Sequence, residues 1–559
     1  LTESDVMVDS PTNNFCTMNP LRDLASVAYS EGNCWSALPA GDNNNGATGT
    51  FAPSSGKWYW EATSTHTPTC FGIAASDVAE SELHYSGSGM TNYYLHTGIK
   101  WVSGSNSSYG ASGSVGDIIG TALDMDNRTI QFFKNGSSLG AAFTIAAGAN
   151  MAPACFGANA SNVKTVRWNF GADSSFASNK TPQGNADSND IGDFFYPPPT
   201  GFLALCTKNM EEPAVIPSEH ISTTLYAGNA TDNRVISGVG FTPDLGIFKR
   251  RTGGSSFAMW FDTVRGATLQ LRTDAVYAES VQGNKQKTFT SDGYTLGTDA
   301  QINGTGKNHL IWNFKGGGAA VSNTNGSITS QVSANVEAGF SIATFTSITG
   351  VMTIGHGLSK APEFVTNQMT GSGSAWWTFH KDVGNTKAMR FTGTNSPGTS
   401  SNFWNNTSPS STVVTLGAGT GGNSVDAVMY CWHSVEGYSK VGIYEGNNAA
   451  DGDGTFVYLG FRPSWVMIKE KDVGTGNGEW NVWDSAREPS NPNDNNVTLD
   501  EPNAESVDNI YGHLDFLSNG FKLRETYNGA VAGGSQTNYT TDYIYLAFAE
   551  TPFKYSNAR

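Results

Sequence analysis

Val441-Gly-Ile-Tyr444-Glu-Gly446-Asn447, Phe456-Val-Tyr-Leu-Gly460-Phe461-Arg-Pro463-Ser-Trp-Val-Met-Ile-Lys469 and Trp480-Asn-Val-Trp483-Asp484-Ser-Ala-Arg487 decide the fold, because they recur. An earlier copy reads Leu225-Tyr226-Ala-Gly228-Asn229, then Gly240-Phe241-Thr-Pro243, then Trp260-Phe261-Asp262-Thr-Val-Arg265. A fainter one has Ala343-Thr-Phe345, Gly357-Leu-Ser-Lys-Ala-Pro362 and Trp376-Trp377-Thr-Phe379-His380. The anchor prolines Pro243, Pro362 and Pro463 stand 119 and 101 residues apart. Solenoid units run roughly 20 to 50 residues, so this period fits a small β-sandwich or jelly-roll domain copied in tandem.

Each copy closes on an aromatic-rich run: His309–Phe314, Ala427–Trp432 and Tyr543–Phe548. Runs this short and this rich in branched and aromatic residues read as buried strands. Asp292-Gly293 and Asn519-Gly520 predict tight hairpin turns, with glycine supplying positive φ. The Gly-Phe-x-Pro unit predicts a proline that starts a strand, since proline cannot donate to a ladder.

Working outward, the 559-residue chain has room for three to five domains. Its 65 glycines exceed the usual share, and charged residues make up only 14%. Solubility therefore rests on Asn, Ser, Thr and Gly, which fits loop-rich all-β structure. The net charge of −17 argues against nucleic acid, whose phosphates need a concentrated basic surface. No apolar run is long enough for a membrane-spanning helix. No signal peptide is visible, and a chain opening on Leu1 makes that absence weak evidence. The six cysteines are scattered without CxxC spacing, which predicts free thiols, several of them buried.

Residues 1–50 read as a polar leader, either a docking segment or the first strands of the next domain, and 51–195 as one β module. Within it stand Gly56-Lys-Trp58-Tyr59-Trp60-Glu61, Phe71-Gly-Ile-Ala74, Gly116-Asp117-Ile-Ile-Gly120 with Asp124, and Phe132-Phe-Lys-Asn135-Gly136. Those four elements, in that order, resemble the SPRY (B30.2) domain. The resemblance implies a bent β-sandwich whose rim loops bind unrelated partners. Residues 196–219, opening on Tyr196-Pro197-Pro198-Pro199, read as a proline-rich linker. The β repeats then span 220–325, 326–440 and 441–559. The expected fold is all-β, a SPRY-like β-sandwich followed by three tandem β-sandwich or jelly-roll-like repeats.

The combination of SPRY-like module, Tyr-Pro-Pro-Pro junction and tandem repeats resembles virion structural proteins of marine bacteriophages, usually tail fibres. That resemblance implies a non-enzymatic virion appendage with a host-receptor or carbohydrate binding role. Its partners would be other virion proteins and a host surface glycan or protein. It implies a homo-oligomer, a trimer or a fibre, although the tandem copies can imitate such symmetry within one chain. A secreted lectin-like adhesin and a polysaccharide depolymerase remain alternatives.

Candidate sites are sparse. Asp262/Arg265 and Asp484/Arg487 form a repeated Asp-x-x-Arg pair, read as architectural and not as a ligand grip. The middle copy carries Phe379-His380 instead. Asp451-Gly-Asp453 lacks the later acidic ligand of a calcium loop. His356, His380 and His433 lie on separate predicted elements, so no metal site is expected. No nucleophile elbow, phosphate loop or cofactor motif stands out. Tyr85, Tyr93, Tyr94, Tyr109, Phe403 and Trp404 lie in Gly/Ser/Asn-rich stretches and are the candidate ligand-binding aromatics.

Overall fold

A computed structural model describes the chain except residues 1–12, 25–26, 41–44, 149, 159–161, 421, 423, 450–452, 472–477, 507–511, 525–536 and 556–559. The chain forms two compact units. One comprises 1–212 with 456–460 and 553–555, and the other comprises 213–455 with 461–552 and the chain end. Among the described residues the regular secondary structure is nearly all strand, and no helix is long and apolar enough to cross a membrane.

The first unit packs two antiparallel-dominated sheets. One runs in the order Met18–Leu24, Gly46–Gly49, Met151–Gly157, Thr69–Ala75, Met90–Tyr94, Ile99–Val102, Ser105–Ser108. The other is centred on Lys57–Ser64, between Ile118–Asp124 and Lys164–Asn169. Trp60, Phe71, Ile73, Ile119, Phe132 and Trp168 fill the space between them. At Asn135-Gly136 the backbone has φ of +49° and +76°, the turn that this dipeptide predicts.

Two boundaries need correction. Residues 18–49 are the first strands of the sandwich and not a docking segment, because Met18–Leu24, Ala28–Ser30, Trp35–Leu38 and Gly46–Gly49 all belong to its sheets. Their small and polar residues hide the pattern: Gly46-Ala-Thr-Gly49 is wholly buried with no large apolar side chain. Nor are 196–206 a free linker. Leu203–Ala204 adds a parallel strand beside Trp58 and Tyr59. The buried Glu61 carboxylate accepts the N–H groups of Phe195 and Tyr196, each at 2.8 Å, and so ties down the chain entering the prolines.

In the second unit one strand order appears three times. The first repeat runs Ile221–Ala227, Asn308–Phe314, Leu245–Arg250, Met259–Asp262, Leu269–Arg272. The second runs Phe340–Thr346, Asp426–Trp432, Phe364–Met369, Trp377–His380, Lys387–Arg390, and the third Ser439–Glu445, Asp542–Pro552, Phe461–Glu470, Asn481–Asp484, Val497–Thr498. In each the closing strand lies in the sheet interior beside the first, so both its faces are buried. Along it, Leu310, Trp312 and Phe314 alternate with Ile311. The first three join a core shared by all three repeats, and Ile311 joins a core private to repeat one. Val428, Tyr430 and Trp432 likewise face the shared core, while Ala427, Met429 and Cys431 face that of repeat two. A strand buried on both faces reads as a continuous apolar run, as these do.

Two local expectations shift. Thr290 pairs with Gly293 and Leu517 with Gly520, so the loops are Ser291-Asp292 and Ser518-Asn519, and each glycine is the first strand residue. Gly293 is required by close approach: a Cβ there would lie 2.1 Å from the Ile236 carbonyl. Pro243 and Pro362 do precede strands, but Pro463 lies within Phe461–Glu470, where the register slips on both sides of it.

Candidate functional site

The Asp-x-x-Arg pairs are buried at the seams between repeats. Arg265 Nε donates to Asp262 Oδ2 at 2.6 Å, and Arg265 Nη1 to Glu279 Oε2 at 2.6 Å. Arg487 Nε donates to Asp484 Oδ2 at 2.5 Å, and Arg487 Nη1 to Glu505 Oε1 at 2.9 Å. Burial works against the charge on Arg265, and Asp262, Tyr430 and Glu279 together more than offset it, so its pKa is raised.

Each aspartate also accepts from the neighbouring repeat. Tyr430 Oη of repeat two donates to Asp262 Oδ2 of repeat one at 2.6 Å. Trp312 Nε1 of repeat one donates to Asp484 Oδ2 of repeat three at 3.0 Å. The third seam has His380 where the aspartates stand and Leu546 where the donors stand. There His380 Nε2 lies 3.5 Å from the Tyr545 carbonyl. A second ring follows the same direction. Trp376 Nε1 donates to the Arg272 carbonyl at 2.8 Å, Trp480 Nε1 to that of Arg390 at 3.2 Å, and Thr273 Oγ1 to that of Leu499. Repeat two thus reaches one, three reaches two, and one reaches three, a closed pseudo-threefold ring. The pairs are architectural, holding copies to one another.

The candidate aromatics do not form one site. Tyr93 is buried between sheets with its hydroxyl donating to the Ala111 carbonyl at 2.6 Å, and Trp404 is buried against Phe379. Both are core residues, which corrects their assignment as ligand contacts. Tyr109 is half-buried, its hydroxyl accepting the Phe132 N–H. Tyr85 and Tyr94 are half-buried beside Trp101 and His96.

Phe403 is different. The short helix Ser401–Trp404, capped by Ser400, turns Trp404 into the core and leaves Phe403 half-buried, 3.6 Å between ring centroids from Trp377. These two rings, Ala388, Arg390, Asn395, Ser396 and residues 398–400 line a groove of about 270 Å³. Trp377 and Arg390 are direct cross-strand partners, with the guanidinium 5.0 Å from the indole centroid. Sequence reasoning passed over both. The available signal was the Trp376-Trp377 doublet, whose alternation along an extended chain puts Trp376 in the shared core and Trp377 on the other face.

His356, His380 and His433 do not converge, and among the described residues no three His, Cys, Asp or Glu stand together as metal ligands. Of the Asp451–Asp453 loop, 451 and 452 lie outside the described residues. The six cysteines are free thiols, all buried except the half-buried Cys34.

These features define a SPRY domain joined to a ring of three β repeats. The SPRY domain family matches residues 57–173. Residues 216–552 match the domain of unknown function DUF7483, and the chain belongs to that family. No curated protein matches the chain. Among solved structures, the SPRY domain of human HERC1 is similar at 23% identity, TM-score 0.25, covering 27% of this chain and 96% of that one. The TRIM65 PSpry domain is similar at 12% identity, TM-score 0.24, with coverages of 28% and 92%. Stonustoxin is similar at 17% identity, TM-score 0.23, with coverages of 27% and 28%.

Proposed function

We propose that the chain is a virion appendage protein, a tail or surface fibre component, that attaches to a host-cell glycan. The observation that carries the reading is the Trp377–Phe403 groove. In a body that buries most of its large aromatics, these two rings line a depression together with Arg390 and Asn, Ser, Thr and Gly residues. An aromatic face suits the C–H face of a pyranose, and amide and hydroxyl groups suit its hydroxyls. The resemblance of the sequence to phage virion proteins supports the setting. Other virion proteins and a host glycan are then the partners, and the particle exterior the location.

Mass spectrometry of purified virions tests the setting. Competition of the purified chain with phage adsorption tests attachment, and Trp377→Ala should abolish competition without lowering Tm by more than a few degrees. A chain absent from particles, or a variant that competes as well as the parent, would sink the reading. Reducing ends released from host polysaccharide would favour a depolymerase instead.

A further inference from the structure

The three repeats supply an internal control for the groove. Met259 pairs with Arg272 in repeat one as Trp377 pairs with Arg390 in repeat two, so the two arginines are equivalent. Arg272 is neutralised in place, its Nε and Nη2 donating to Asp274 at 3.0 and 2.7 Å. Its guanidinium is also covered by Phe257 at 3.3 Å and Tyr277 at 4.3 Å from the ring centroids. In repeat two the residue matching Asp274 is Thr392, and those matching Phe257 and Tyr277 are Ala375 and Asn395. The acid and both of those aromatic covers are gone, and Trp377, 5.0 Å from the guanidinium to its ring centroid, is the aromatic contact Arg390 keeps. Among the described residues no carboxylate pairs with Arg390, which is exposed at the groove wall. Its own carbonyl is held by Trp480, which fixes the strand that presents it.

We infer that the groove of repeat two binds an acidic sugar residue, its carboxylate on Arg390 and its ring against Trp377 and Phe403. A guanidinium presents two parallel N–H donors matching a carboxylate. In a chain of net charge −17, an arginine stripped of the acid its counterpart keeps marks a place where the ligand supplies the negative charge. The inference deepens the glycan reading by naming the sugar class, and rests on that reading only for the glycan's source.

The test is calorimetric titration of the full-length chain with a glucuronate-containing oligosaccharide, its carboxyl-reduced counterpart and a sulfated neutral oligosaccharide. We expect the acidic sugar to bind at least tenfold more tightly than the reduced one. Arg390→Gln should remove that preference. Thr392→Asp, which restores the acid of repeat one, should do the same while keeping Arg390. Equal binding of acidic and reduced sugars by the unaltered chain overturns the inference whatever the variants do. So does retention of the preference by a folded Arg390→Gln, or binding of the sulfated sugar alone. Acid-sugar binding by a chain absent from virions would leave this inference standing and sink the appendage reading.

Discussion

At the scale of single residues, burial decides which charges matter. Asp484 and Arg487 are fully buried, and Asp484 also holds Trp312 of another repeat. Asp484→Ala would leave a buried guanidinium with Glu505 as its one carboxylate, beside the Val482 carbonyl, and orphan the indole N–H. A loss of about 3–5 kcal/mol is expected, read as a lowered urea midpoint. The exposed pair Lys287–Asp232 has the same kind of contact at 2.5 Å, yet Asp232→Ala should leave the midpoint unmoved, because water screens both partners.

Glu61 shows the opposite balance. Burial pushes its pKa up to about 7 against the N–H groups of Phe195 and Tyr196, which favour the carboxylate. A raised pKa gives stability that is full below about 4.5 and is lost as pH rises through about 7. Thermal unfolding of the first unit should therefore weaken across that window. Glu61→Gln should flatten the dependence and speed proteolysis within 195–206, since one of two carboxylate acceptors becomes a donor. Unchanged cleavage would show that this segment is held by something else.

At the scale of elements, the sheets are specified by close approach as much as by apolar area. Gly293 starts a strand against the Ile236 carbonyl. Gly293→Ala must push the small sheet apart and should cost about 1–3 kcal/mol, measured by denaturant unfolding. Gly318, at φ +77° with nothing near a Cβ, offers a comparison in which only backbone strain acts. The SPRY strands were legible because large aromatics mark them. Gly46–Gly49 was not, because small residues show no apolar pattern and form a buried strand only against partner strands, and Met18–Leu24 was not, because it buries Asn19 and Arg22 beside Met18 and so lacks apolar alternation.

At the scale of the molecule, the ring of repeats closes threefold symmetry inside one chain. Equivalent aromatics meet at its centre, Phe314 lying 6.1 Å from Trp432 and 5.5 Å from Phe548 between ring centroids. The three seams between repeats are already covered within one chain. Light scattering is therefore expected to give the mass of one 59.3 kDa chain, and a stable trimer would oppose this.

The two units should also answer acid differently. In the second unit burial pushes His309 and His356 down to about 4 and His380 to about 3. Groups with lowered pKa values give stability that is present above about 6.5 and lost as pH falls through 4. His220 and His433, also lowered by burial, add to this, and Asp500, pushed up to about 6 by burial, opposes it together with Glu488, which burial also raises. Calorimetry between pH 7 and 5 should lower the Tm of the second unit while raising that of the first.

The amino-acid sequence by itself determined the strand-rich class, the SPRY module, the period of the repeat and the recurring Asp-x-x-Arg. All of these are local patterns or their recurrence along the chain. Only the tertiary structure decided that the aspartates reach across to Tyr430 and Trp312, that Tyr93 and Trp404 are core, and that Trp377 and Arg390 border a groove. The physical reason is the double burial of the closing strands. With apolar residues on both faces, alternation no longer tells inside from outside. Which residue meets which then depends on how three sheets close around one core.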